Sequence, residues 1–130
     1  MNEVFQDRIP PQNIEAEQAV LGAIFLEPSA LTTTSEILIP EDFYRHSHQK
    51  IYNVMLNLGD GGKAVDLITV TEELAAAKEL EDVGGVAYLS ELAASVPTAA
   101  NIEYYAKIVE EKSLLRRLIR TATDIASDGY

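Results

Sequence analysis

Two histidines and a glycine-rich turn are the residues whose types and spacing invite chemistry. His46 and His48 stand two apart, close to Asp42. Imidazole and carboxylate are ordinary zinc ligands, but the spacing matches no zinc pattern and a third strong ligand is lacking. Surface or capping histidines are the simpler reading. Gly59-Asp60-Gly61-Gly62-Lys63 invites comparison with a phosphate-binding loop. That loop needs four residues between its glycines and a Ser or Thr directly after the lysine to hold Mg²⁺. Ala64 follows Lys63, so the stretch reads as a turn. No pair of acidic or basic groups converges by spacing, which leaves an acid–base enzyme without a visible site. The sequence holds no cysteine, hence no disulfide and no thiolate metal site, in keeping with a reducing compartment.

Charge narrows the class further. The 130 residues carry a net charge of −11, and 47% of them are hydrophobic, enough for one core. Residues 1–97 hold 16 acidic and 5 basic side chains, whereas residues 98–130 hold 5 of each. Affinity for nucleic acid comes mainly from neutralising phosphates, so an acidic globule is a poor direct ligand for it. General solubility is the plain reading of the acidic balance, and a basic protein partner the sharper one. Nothing resembles a signal peptide, and no apolar run approaches the roughly 20 residues of a membrane span.

The elements are helical throughout. Pro10-Pro11 holds the chain extended, Asn13 suits an N-cap, and Glu15 and Glu17 set negative charge against the helix N-terminus. Ala19 to Leu26 is entirely apolar or Gly, so the helix over 13–26 belongs inside the fold. Gly22 in its middle costs about 1 kcal/mol of helix propensity, which makes sense where another backbone passes close by. A short helix capped by Ser29 is expected over Leu31–Leu38, weakened by Thr32-Thr33-Thr34 and ended by Pro40, with a turn then tucking Phe43 inward. Ser47–Leu58 is amphipathic, with Ile51, Met55 and Leu58 on one stripe and Gly59 breaking it. An extended segment over Val65–Ile68 leads to a capping box between Thr69 and Glu72, opening a helix to about Lys78. A solvated acidic loop over Glu79–Asp82 and a break at Gly84-Gly85 follow. The next helix, Val86–Ser95, is expected to bury Val86, Leu89, Leu92, Ala93 and Val96, leaving Tyr88 off that stripe.

Thr98 to about Ser127 lacks Pro and internal Gly. A helix of roughly 30 residues would be about 45 Å long, against some 30–35 Å for a globule of about 100 residues, so it must project. Ile102, Tyr105, Ala106 and Val109 suffice to dock its first half. Leu114, Leu115, Leu118, Ile119, Ala122 and Ile125 then remain uncovered, with Leu115, Ile119, Ala122 and Ala126 at heptad-like spacing. A downstream segment folding back as a helical hairpin, or another subunit, would cover them. Lys112, Arg116, Arg117 and Arg120 flank this face, as a solvated rim, as a docking site for an acidic partner or, third, as a contact for DNA.

In this order and spacing, several individually weak motifs become specific. They are Pro10-Pro11 with Glu15-Ala16-Glu17 and Leu21-Gly22; Asp42-Phe43-Tyr44; His48; Ile51-Tyr52; Val65-Asp66; Gly84-Gly85-Val86-Ala87-Tyr88-Leu89; and Asn101-Ile102-Glu103-Tyr104-Tyr105-Ala106. Together they resemble the N-terminal domain of bacterial replicative DNA helicases of the DnaB type, over almost the whole chain. The resemblance implies an all-α fold: a tail over 1–12, a helical globule over 13–97, and a projecting helix over 98–130 that is the first arm of a hairpin. It implies a cytoplasmic, hexameric parent whose RecA-like motor uses ATP and Mg²⁺, with motor and second arm outside these 130 residues. It implies self-association of the collar as a trimer of dimers, docking of primase, and contact with a helicase loader.

These implications meet the reading of the residues on the projecting helix. Tyr88 off its stripe, the uncovered Ile119 and Ile125, and Arg116 one turn before Ile119 have the composition of an interface hot spot. Primase docking is therefore expected on Tyr88, Arg116, Ile119 and Ile125, with Glu15 beside them. Self-association is expected on Leu114, Leu115, Leu118 and Ala122. The alternative, a stand-alone helical DNA-binding domain, needs a basic recognition helix, but Val86–Ser95 carries Glu91 and no Lys or Arg. Without a phosphate loop, the chain is expected to neither bind nor hydrolyse ATP. A calorimetric titration should give no saturable heat, and saturable binding at ordinary ATP concentrations would contradict that expectation.

Overall fold

The computed structural model describes residues 9–129, and the loose tail expected over 1–12 lies mostly outside them. Among the described residues there are six α-helices and no strand. The first, α1, spans Ile14–Leu26. Asn13 is extended, and its side-chain oxygen accepts from the Ala16 amide at 3.0 Å, as an N-cap should. Val20, Leu21, Ala23 and Ile24 are fully buried. Helix α1 is the axis of the globule, packed most extensively against the last two helices and also against the next two.

Helix α2, Ala30–Ser35, is shorter than expected. Ser29 makes no capping bond and is itself helical. The Thr34 hydroxyl donates back to the Ala30 carbonyl and that of Ser35 to Thr32, which competes with propagation of the helix. A 3-10 turn at Pro40–Asp42 then delivers Phe43 to the core at 1% exposure. Helix α3, His46–Asp60, runs through Gly59 rather than stopping there. Its end is set by Gly62 at φ +70°, where Gly62 N–H reaches the Gly59 carbonyl and Lys63 N–H the Leu58 carbonyl.

Helix α4, Leu67–Ala76, begins one turn earlier than expected. Its cap is Asp66, which accepts from the Thr69 amide at 2.8 Å while Thr69 Oγ1 accepts from the Asp66 amide at 2.9 Å. The box is Asp66–Thr69, not Thr69–Glu72, because the carboxylate satisfies the first turn before Thr69 can act as a cap. Leu67 and Ile68 are therefore helical rather than extended. After a 3-10 turn at Glu81–Val83, Gly84 at φ +110° starts α5, Gly85–Ala93. Val86, expected in the core, is 49% exposed, and Val83 is buried instead. Leu89 and Leu92 are buried as expected.

Helix α6 spans Ile102–Asp128. Its buried residues, Ile102, Ala106, Val109 and Ser113, form one stripe along the first half only. No helix among the described residues is long and apolar enough to cross a membrane.

At Gly22, α1 passes close to the end of α5. A Cβ built there would lie 2.2 Å from Ser95 Oγ and 2.5 Å from the Leu92 carbonyl oxygen, and the second of these is backbone that cannot step aside. Gly22→Ala should therefore lower stability by about 1–3 kcal/mol in chemical denaturation, even though alanine regains about 1 kcal/mol of helix propensity. An unchanged or higher midpoint would contradict this packing. The two candidate boxes also separate cleanly. Asp66→Ala should cost about 1 kcal/mol, and Glu72→Ala should stay within about 0.5 kcal/mol. The reverse order would restore the Thr69–Glu72 box.

Candidate functional site

A carboxylate, an imidazole and a phenol meet under the surface beside the start of α1. Glu17 is 1% exposed and His48 fully buried. His48 Nδ1 lies 2.7 Å from Glu17 Oε1, and His48 Nε2 lies 2.6 Å from the Tyr88 phenol oxygen. The Tyr44 amide donates to Glu17 Oε2 at 2.7 Å, and the Arg45 amide lies 3.4 Å from Oε1. Gln18 Nε2 and Arg45 Nη1 both donate to the Tyr88 oxygen, at 3.1 and 3.3 Å. A phenol oxygen accepting from two donors turns its own hydrogen toward the third neighbour. The network therefore assigns Tyr88 O–H as donor to His48 Nε2, and His48 Nδ1–H as donor to Glu17.

Carboxylate–imidazole–hydroxyl is also the order of a nucleophile relay, but the surroundings oppose that chemistry. The hydroxyl is a phenol already held by two donors. The imidazole is clamped between Tyr88, stacked at 5.9 Å and 8°, and the edge of Phe43 at 6.3 Å. Neither of the clefts described below is lined by His48 or Tyr88. The arrangement fixes backbone and leaves no hydroxyl free to attack a substrate.

These positions correct the expectations for two residues. His48 is a core histidine, not a surface or capping one, whereas His46 is exposed. Tyr88 is off the most buried stripe of α5, yet half-buried, with its oxygen turned inward. Glu17, read only as a charge near the helix N-terminus, and His48 both carried a usable signal. Glu17 sits three and four residues before Val20 and Leu21, and His48 three and four before Ile51 and Tyr52, all fully buried. Each polar residue thus lies on its helix's core stripe. Among the described residues, no group of three or more His, Cys, Asp or Glu is placed to hold a metal.

Arg116 continues the buried stripe of α6 by one more turn and ends it with a polar clasp. Its Nη1 donates to the Pro11 carbonyl and its Nη2 to the Asp42 carbonyl, each at 2.7 Å. Its guanidinium lies 5.4 Å from the centre of the Tyr44 ring, within cation–π range. Burial pushes its pKa down, countered first by Glu17. One turn earlier, Ser113 donates to Asp42 Oδ1 at 2.7 Å, while Asp42 Oδ2 takes the Ile39 amide at 2.9 Å.

Two clefts flank this structure. One, of about 690 Å³, lies between Pro10-Pro11, Tyr44 and α6, with Arg116, Ile119 and Arg120 in its wall. The other, of about 490 Å³, includes Glu15, Gln18, Ser95 and Tyr105. Arg116 and Ile119 thus line one cleft and Glu15 the other. Ile125 is six residues, about 9 Å, farther along α6 and belongs to neither cleft. Leu114, Leu115, Leu118, Ile119 and Ile125 are between 37% and 67% exposed, and Ala122 is exposed as well.

A family model described as "DnaB-like helicase N terminal domain" matches residues 9–111. The chain is 75% identical over its full length to a replicative DNA helicase, DnaC, of Bacillus subtilis, of which it covers 29%. It matches the crystal structure of the N-terminal domain of DnaB helicase from Mycobacterium tuberculosis with a TM-score of 0.91 and 46% identity, over 94% of this chain and 85% of that one. It also matches a structure of a DnaB-like replicative helicase, described with its interactions with primase, with a TM-score of 0.79 and 34% identity, over 89% of this chain and 27% of that one. The chain therefore spans less than a third of the length of these two helicases.

The buried network should be visible in stability. Tyr88→Phe keeps the ring but leaves His48 Nε2 and the Gln18 amide without their partner, and should cost about 1–3 kcal/mol in denaturation. Tyr104→Phe, at a tyrosine 76% exposed, should stay within about 0.5 kcal/mol. Equal effects would mean that the Tyr88 hydroxyl is not part of the core.

Proposed function

This chain belongs to the family of DnaB-like helicase N-terminal domains, and we propose that it is a non-catalytic collar piece that assembles a replicative helicase ring and docks primase. The observation that carries the reading is the far half of α6. Five large apolar side chains there, Leu114, Leu115, Leu118, Ile119 and Ile125, are at least 37% exposed. A contiguous apolar face of this kind marks a protein interface. Its length divides between two jobs. Leu114, Leu115, Leu118 and Ala122 pair with a second helical arm or a second subunit, as in a trimer of dimers. Ile119, Ile125 and Arg116, together with Tyr88 and Glu15, receive primase. A helicase loader is a further partner.

Under this reading the work of the whole protein, ATP-driven translocation on one DNA strand in the bacterial cytoplasm, falls to a motor outside these 130 residues. ATP and Mg²⁺ belong there. The low basic content of the globule supports a protein partner over a DNA partner. Helix α5 carries Glu91 and no Lys or Arg, which disfavours a recognition helix.

The test separates docking from folding. Ile119 and Ile125 are 53% and 67% exposed, so replacing either by alanine should leave the melting temperature unchanged. The loss of a central anchor should weaken binding to the helicase-binding domain of primase by about thirtyfold, or about 2 kcal/mol. Unchanged binding for both variants would remove these residues from the docking surface. A lowered melting temperature with unchanged binding would make them structural.

A further inference from the structure

The buried Glu17–His48 pair is outside the set of residues expected to meet a partner, yet it lies between members of that set. We propose that His48 is a positioning residue for the docking surface: it ties the Tyr88 phenol, through Glu17, to the Tyr44–Arg45 turn against which Arg116 rests. The proposal rests on the docking reading above and deepens it, since it assigns the Tyr88 oxygen to the scaffold and leaves the outer ring edge to the partner.

The tie is continuous. From Tyr88 to His48 is 2.6 Å, from His48 to Glu17 2.7 Å, and from Glu17 to the Tyr44 amide 2.7 Å. The Tyr44 ring carries the Arg116 guanidinium, and the Asp42 carbonyl two residues earlier takes one of its N–H groups. One acceptor of Arg116, the Asp42 carbonyl, is backbone whose direction follows the turn itself, while the other is the Pro11 carbonyl before α1. A turn released from Glu17 would re-aim Asp42 and Tyr44, and with them the wall of the cleft that holds Arg116 and Ile119.

Imidazole is the side chain suited to the link. It donates from one nitrogen and accepts at the other, on opposite sides of a flat ring that fits between Tyr88 and Phe43. A phenylalanine would strand the Glu17 carboxylate, and a carboxamide lacks the reach to both partners.

The experiment uses Tyr88→Phe, which keeps the ring, with His48→Gln as a second variant. In both, the Tyr44 and Arg45 amides should exchange with solvent about tenfold faster or more, while the Val70 amide, bonded to the Asp66 carbonyl in α4, keeps its rate. Tyr88→Phe and Arg116→Lys should each weaken binding of primase's helicase-binding domain, and the double variant should lose little beyond the larger single loss. Unchanged exchange at Tyr44 and Arg45, a uniform rise that includes Val70, or a double loss equal to the product of the single losses would each overturn the positioning role. If the unsubstituted protein fails to bind the primase domain, the docking reading falls, and the exchange comparison alone decides the tie.

Discussion

A carboxylate buried at 1% exposure is the constraint on which much of this structure depends. An ionised Glu in an apolar interior is tolerable only when its oxygens are hydrogen-bonded, because the desolvation of the charge must be offset. Glu17 recruits its donors from far along the chain, from His48 and from the amides of Tyr44 and Arg45. Satisfying that one group brings together α1, the turn before α3, the first turn of α3 and, through Tyr88, helix α5. The hydrophobic core makes the globule compact. The buried acid specifies which turn of which helix faces which.

The same economy governs α6. Its stripe is apolar from Ile102 to Val109 and then becomes polar at Ser113 and Arg116, which hold Asp42 and Pro11 rather than the core. Beyond Arg116 the globule offers no more surface. The helix continues for twelve residues to Asp128 with its apolar side chains in water. Exposed Leu118, Ile119 and Ile125 there are consistent with the proposal that a second helical arm or another subunit covers them. Under the proposed function, the clasp holds the uncovered face out on a rigid helix where other proteins can reach it.

Much of this was legible in the sequence, for identifiable reasons. Helix α1 announced itself through Asn13, two prolines and an apolar run, and Gly22 through its position inside that run. The projection of α6 followed from length alone. The capping of α4 was misplaced because Thr69 and Asp66 are both good caps, and local sequence cannot say which comes first. Helical spacing puts Val86 on the stripe of Leu89 and Leu92, but the 3-10 turn before Gly84, with its different period, buries Val83 instead. The buried network was missed because Glu, His and Tyr were each read by the habit of their residue type. The stripes formed by Val20 and Leu21, and by Ile51 and Tyr52, pointed to Glu17 and His48. The tie to Tyr88 was invisible because it joins residues 40 apart.

The proposed function requires the far half of α6 to be an interface. The direct measurement is molar mass in solution by sedimentation, over a range of concentrations, with and without the helicase-binding domain of primase. A covered apolar face predicts a mass above the 14.3 kDa of one chain, rising with concentration, and a further increase when the primase domain is added. A single chain at every concentration, unchanged by the primase domain, would contradict it.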